Sequence, residues 1–189
     1  MKDLKGKKVA ILATDGFEYS ELIEPEKALK TAGATTEIIS LKDGEIRGWK
    51  DGNWAMHPVK VTKAVKNANP AEYSGLVLPG GVMNPDKLRT DKNVLEFVRG
   101  FFEMGKPVAA ICHGPWTLID AEVVEGRRMT SYHSIRKDLE NAGAKWVDQP
   151  VVVDQGLVTS RHPGDLDAFN KKVVEEIWEG VHEEQKQSV

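Results

Sequence analysis

Three stretches of the sequence, KKVAILAT (Lys7 to Thr14), GLVL (Gly75 to Leu78) and PVAAI (Pro107 to Ile111), are apolar at consecutive positions rather than at alternate ones. A strand with one wet face alternates apolar and polar residues, whereas a strand covered on both faces does not, and such strands belong to parallel sheets enclosed by helices. Helical segments separate these runs. YSELIEPEKALKTA (residues 19 to 32) reads as a helix with Pro25 near its first turns and Gly33 as its stop, and Thr35 to Leu41 follows as a further strand. Asn93 to Met104 reads as a second helix. Short helices are expected around Pro115 to Ala121 and from Ser134 to Ala142, then strands near Val151 to Val153 and Leu157 to Ser160, and a terminal helix after Pro163. Gly44 to Val65, with a turn signal at Asp51-Gly52, reads as a small antiparallel excursion. The alternation predicts a doubly wound, mainly parallel α/β sheet with helices on both faces, in which ligands bind at the C-terminal ends of the strands.

A length of 189 residues suits one domain spanning residues 1–189, with neither an internal repeat nor a linker. A formal net charge of −3 argues against a nucleic-acid partner, because such domains usually display a dominant basic face. No apolar run approaches the length of a membrane span, and the N-terminal run is too short and interrupted for a secretory leader, so a cytoplasmic location is expected. The single cysteine can form no internal disulfide and no multi-thiolate metal site.

That cysteine, Cys112, falls between PVAAI and GPWTLI, where a strand turns at once into a helix. The placement is that of a nucleophile elbow, which lifts a side chain above the sheet, although Ala110 stands where the usual elbow has a glycine. Amide N–H groups and the dipole of the following helix would favour a thiolate there, and the N–H of His113 would face a developing oxyanion. The competing reading is a buried thiol that only fills space. Glu18, in the loop after the first strand (ATDGFEYSEL), is the expected carboxyl neighbour of the sulfur, against the alternative of a solvated first-turn glutamate. The paired glycines in LPGG permit close approach to a ligand and make the N–H of Gly81 a second oxyanion donor. No phosphate-loop lysine follows, so nucleotide binding is discounted.

Taken in order, ATDGFEYSEL, LVLPGG, NPDKLR, GKPVAAICHGPW, TSYHSI, NAGA and VTSRHPGDL resemble the PfpI-type intracellular protease branch of the Parkinson-disease-associated deglycase superfamily, including its general-stress-protein members. The resemblance implies a flavodoxin-like, class I glutamine amidotransferase-like sheet with Cys112 as reactive thiol, Glu18 as its buried carboxyl partner and Tyr132 lining the pocket. It also implies that His113 is oriented by an acid from a neighbouring subunit, the position matched by Asp86, and hence a homodimer or larger assembly. His57, His133, His162 and His182 are read as ordinary polar positions, and Arg161 as holding the loop before the last helix. A glutamine amidotransferase is rejected, because the loop directly after the last strand lacks that enzyme's spaced histidine and glutamate, and His182 with its adjoining glutamates lies in the charged tail.

The activity implied is a cofactor-free glyoxalase or deglycase acting on reactive aldehydes such as methylglyoxal, or on glycated amino groups, with no metal. An intracellular cysteine peptidase is the nearest alternative, and a redox sensor or holdase working through an oxidisable Cys112 is the third.

Overall fold

The computed structural model describes residues 2–189. Its centre is a seven-stranded sheet of β1 (Lys8–Leu12), β2 (Thr35–Ser40), β3 (Lys63–Ala64), β4 (Gly75–Leu78), β5 (Val108–Ile111), β6 (Val151–Asp154) and β7 (Leu157–Ser160). The spatial order is β6-β7-β5-β4-β1-β2-β3, and every pair is parallel except β6 with β7. The order reverses at β1, which lies between β2 and β4, so the chain is wound both ways from the middle of the sheet in the flavodoxin-like manner.

Helices α3 (Lys92–Glu103), α4 (Pro115–Asp120) and α5 (Arg136–Asn141) cover one face, and α1 (Tyr19–Thr31) and α6 (Leu166–Glu179) the other. Along β1, Ala10 and Leu12 join the first core while Val9 and Ile11 join the second, and β5 divides in the same way, Ala110 against Ala109 and Ile111. Both sets of side chains are buried, which is why these strands read as unbroken apolar runs. On the first face Phe97 and Phe101 meet edge to face at 5.2 Å, with Tyr73 beside them. Phe101 is 0% exposed, and truncating such a side chain to alanine costs about 3–5 kcal/mol.

Several elements depart from the sequence expectation. The Gly44–Val65 region does form short antiparallel pairs, Glu45–Ile46 with Val59–Lys60 and Trp49–Lys50 with Asn53–Trp54. The second pair closes through Asp51 and Gly52, both at positive φ (50° and 80°), as a tight two-residue hairpin requires. The residues that follow, Lys63–Ala64, instead add a parallel edge strand to the main sheet, too short to carry a periodicity of its own. NPDKLR lies mostly in a short helix, α2 (Met83–Leu88), and the segment from His133 opens with a 3₁₀ turn before α5. Among the described residues, no helix is long and apolar enough to cross a membrane.

Candidate active site

Cys112 follows β5 directly and adopts φ +64°, a left-handed conformation that costs a non-glycine residue about 1–2 kcal/mol. Hydrogen bonds on both sides hold it there. The Cys112 N–H donates to the Ser160 carbonyl at 3.0 Å, its own carbonyl accepts from the Tyr132 N–H at 2.9 Å, and the Gly114 N–H closes the turn on the Ile111 carbonyl at 2.9 Å. The strained turn points the sulfur across the end of β4, where Gly80 and Gly81 lie.

Both glycines are required by space. A Cβ on Gly80 would stand 2.6 Å from Cys112 Cβ and 2.6 Å from Glu21 Oε2. Gly81 has φ +73°, and a Cβ there would run into the Gly16 carbonyl and stand 2.7 Å from the Glu18 nitrogen. The loop is pinned by Asn84, fully buried in α2. Its Oδ1 accepts from the Thr14 N–H at 2.8 Å and its Nδ2 donates to the carbonyls of Pro79 and Gly80 at 2.9 and 3.0 Å, tying the ends of β1 and β4 together. The amide N–H groups of Gly81 and His113 are thereby directed at the sulfur.

The carboxyl beside the thiol belongs to Glu21, not Glu18. Glu18 has an extended backbone at the N-cap of α1 and accepts from Ser20 Oγ at 3.1 Å, so its side chain stays at the mouth of the loop. Glu21 lies one turn further on, is 0% exposed, and accepts the Gly80 N–H through Oε2 at 2.9 Å. Its Oε1 has no conventional hydrogen-bond partner, and the carboxyl lies beside the Cys112 thiol. Burial, opposed by the Gly80 amide and reinforced by the charge on Glu18, pushes the Glu21 carboxyl up to about 8. Glu18 thus acts one step out, by favouring the protonated form of Glu21. The sequence carried a signal for this: Glu21, Pro25 and Leu29 are spaced by four along one face of α1, so a glutamate occupies the apolar stripe.

The expected stabilisation of the thiolate is only part of the balance. Cys112 is 7% exposed, and burial first, then the charge on Glu21, push its thiol above the ordinary range, while the Gly81 and His113 amides pull it down. The following helix α4 has only six residues, so its dipole adds little to those two amides. Two negative charges resist each other here, and the thiolate is favoured when Glu21 holds the proton.

His113 brings Nδ1 to 3.2 Å from Cys112 Sγ and Nε2 to 3.0 Å from Ser134 Oγ. Its ring stacks on Tyr132 at 4.9 Å and meets the edge of Trp116 at 5.2 Å. Burial, with a contribution from nearby His133, holds the imidazole below its ordinary range and so favours the neutral ring. His133 also lies over Tyr132 at 4.4 Å, a closer part in the site than an ordinary polar position. Tyr132 thus stands between the rings of His113 and His133. Asp86 is exposed on α2 and paired with Arg89 at 3.1 Å, while Nε2 of His113 meets Ser134. Arg161 grips Asp165 through Nε and Nη2 at 2.9 and 3.0 Å and reaches Asp148 at 2.8 Å, which fixes the loop before α6 as expected. A wide groove of about 760 Å³ between α1 and α6, lined by Lys27, Thr31, Lys171 and Val174, contains none of these groups, so chemistry rather than volume locates the site.

A doubly wound sheet with a strained cysteine elbow, two amides on the sulfur and a protonatable carboxyl beside it defines a class of α/β proteins built around a reactive thiol. Within that class the chain belongs to the DJ-1/PfpI family, whose model matches residues 7–176. It is 46% identical over 167 residues to Deglycase PfpI of Pyrococcus furiosus, covering 88% of this chain and 97% of that one. It is 45% identical over 166 residues to YraA of Bacillus subtilis, provisionally named a cysteine protease, covering 88% and 95%. Protein/nucleic acid deglycase 2 of Escherichia coli is 44% identical over 169 residues, covering 89% and 96%. Among solved structures, a two-domain protein of Anabaena variabilis with DJ-1/ThiJ/PfpI-like and ferritin-like domains superposes with a TM-score of 0.85 at 38% identity, over 90% of this chain and 48% of that one.

Proposed function

We propose that this chain is a cysteine-dependent enzyme acting on reactive aldehydes such as methylglyoxal, or on their early adducts with amino groups, through groups of its own. The observation that carries the reading is the Cys112–Glu21 pair under the amides of Gly81 and His113: a nucleophile, a proton donor and an oxyanion site around one point. The thiolate adds to the aldehyde carbon, and the oxygen, held by the two amides, takes a proton to give a hemithioacetal. A base then moves the C1 proton to C2 through an enediolate, leaving a thioester that water hydrolyses to lactate and free thiol. Glu21 is suited to supply and recover the first proton, and neutral His113, with Nε2–H donated to Ser134, offers the Nδ1 lone pair as the base. With a glycated amine the C1–N bond of the hemiaminal would break first, the nitrogen leaving with a proton and the C1 hydroxyl becoming the aldehyde carbonyl, and the thiolate would then add to that freed aldehyde. The deglycase names of the Pyrococcus and Escherichia relatives support this substrate class. The net charge of −3 argues against a nucleic-acid docking face but not against a glycated base as small substrate.

The site is further proposed to be completed by a second copy of the chain, with Asp86 approaching the neighbouring His113. Exposed apolar side chains on both segments flanking the Gly16–Tyr19 loop support such an assembly: Trp54 and Met56 on one, Val82 and Met83 on the other, with 46, 84, 56 and 37% exposure.

NMR of methylglyoxal turnover, without glutathione or added metal, tests the chemistry. Lactate formation beyond one equivalent, abolished in Cys112→Ala, is expected; stoichiometric trapping of the aldehyde without lactate would overturn the proposal.

A further inference from the structure

At the end of the sheet opposite to Cys112, the last turn of α6 presents Glu176 and Glu179, the chain reverses at Gly180 (φ +94°), and His182 folds back beside them. The His182 N–H donates to the Gly105 carbonyl at 2.7 Å, which places this corner beside the loop entering β5. One oxygen or nitrogen from each of the three side chains lies within 4.8 Å of the others.

Two features separate this cluster from a chance gathering of acids. Glu176 is 6% exposed, yet no hydrogen bond reaches its carboxylate among the described residues. Its nearest ionic neighbour is His182 Nε2 at 3.2 Å, but that nitrogen is itself buried without a hydrogen-bond partner, so the two face each other without donor–acceptor alignment. Nitrogen and oxygen ligands about 2.1 Å from a tetrahedral zinc ion stand roughly 3.4 Å apart, close to this spacing. The last turn of α6, a helix of 14 residues, adds unpaired carbonyls that favour positive charge.

We infer that Glu176, Glu179 and His182 form a site for one divalent transition ion of the zinc class, remote from the reactive thiol. One imidazole with two carboxylates suits zinc better than calcium or magnesium, which prefer all-oxygen shells. Water would take the fourth position on the exposed Glu179 side. The ion would fasten the C-terminal segment, whose 3₁₀ turn Glu183–Ser188 is docked by Gln185 on the Lys106 carbonyl and by Arg127 on Ser188 Oγ. This structural role is independent of the aldehyde chemistry.

The test uses the full chain carrying Cys112→Ala, so that the thiol cannot capture metal, stripped with chelator and titrated with zinc chloride by calorimetry and thermal melting. One equivalent of zinc should bind and raise the melting temperature. Glu179→Gln, at an exposed position that leaves folding intact, and His182→Gln should each weaken binding by at least about tenfold and remove the thermal shift. Glu183→Gln, outside the cluster, should change neither. Absence of stoichiometric binding, unchanged affinity in Glu179→Gln, or calcium binding as tight as zinc would overturn the assignment.

Discussion

Replacing Glu21 by glutamine should stabilise the protein and disable it at once. A carboxyl whose pKa rises from the ordinary 4.5 to about 8 on folding binds a proton more tightly in the folded state. Folding stability is therefore greatest below the unfolded value and falls as pH rises through the folded one, at about 1.4 kcal/mol per pH unit between them. Glutamine, with the same shape, keeps an oxygen for the Gly80 N–H and has nothing to ionise. The advantage of Glu21→Gln over wild type should grow from about 1 kcal/mol near pH 5.5 to about 3 kcal/mol at pH 7, and level off near 5 kcal/mol above pH 8. Urea unfolding of both proteins at matched concentration, in half-unit pH steps from 5 to 9, yields the difference curve. Groups that titrate alike in both proteins, such as Glu176, cancel from it. Parallel stability profiles for wild type and variant would refute the assignment of a buried, proton-holding carboxyl to Glu21. Glu18→Gln, removing only a neighbouring charge, should shift the profile far less.

Gly81→Ala forces a Cβ at positive φ onto the Gly16 and Glu18 backbone, so it should lower stability by at least about 2 kcal/mol by chemical denaturation and abolish turnover. Asn84→Ala strips partners from three backbone groups at the ends of β1 and β4, and its unfolding free energy should fall by about 3 kcal/mol. Ser134 is exposed, so Ser134→Ala should leave the melting temperature unchanged; loss of one hydrogen bond worth about 1 kcal/mol to His113 should lower kcat about fivefold, with threonine restoring it. Asp86→Asn gives up only an exposed pair with Arg89, so stability should hold; a fall in kcat would trace to an acid reaching a second copy, and an unchanged kcat would remove Asp86 from the site.

The features legible in the chain are local ones. Unbroken apolar runs reported strands buried on both faces, because β1 and β5 send alternate side chains into two separate cores. The succession PVAAI, Cys112, His113, GPW reported the elbow, since a strand that gives way to a helix within three residues leaves its cysteine no other place than the turn. Paired glycines reported where backbone approaches the thiol. What escaped was decided by packing between distant segments. Glu18 caps α1 and Glu21 lies in its first turn, and which one reaches the sulfur depends on the angle at which α1 lies against the end of β4, a property of the two cores rather than of either residue. Ser134 reaches His113 only because the chain after Met129 returns over the elbow, and Glu176 meets His182 only because Gly180 reverses the chain. The raised position of the Cys112 thiol likewise has no sequence signature: local amides favour the charge, but desolvation by surrounding elements opposes it and prevails. The sequence by itself determined the sheet, the elbow and the place of its one thiol, since these follow from the order of neighbouring residues. The tertiary structure decided which carboxyl lies against that thiol, because burial is conferred by the whole fold.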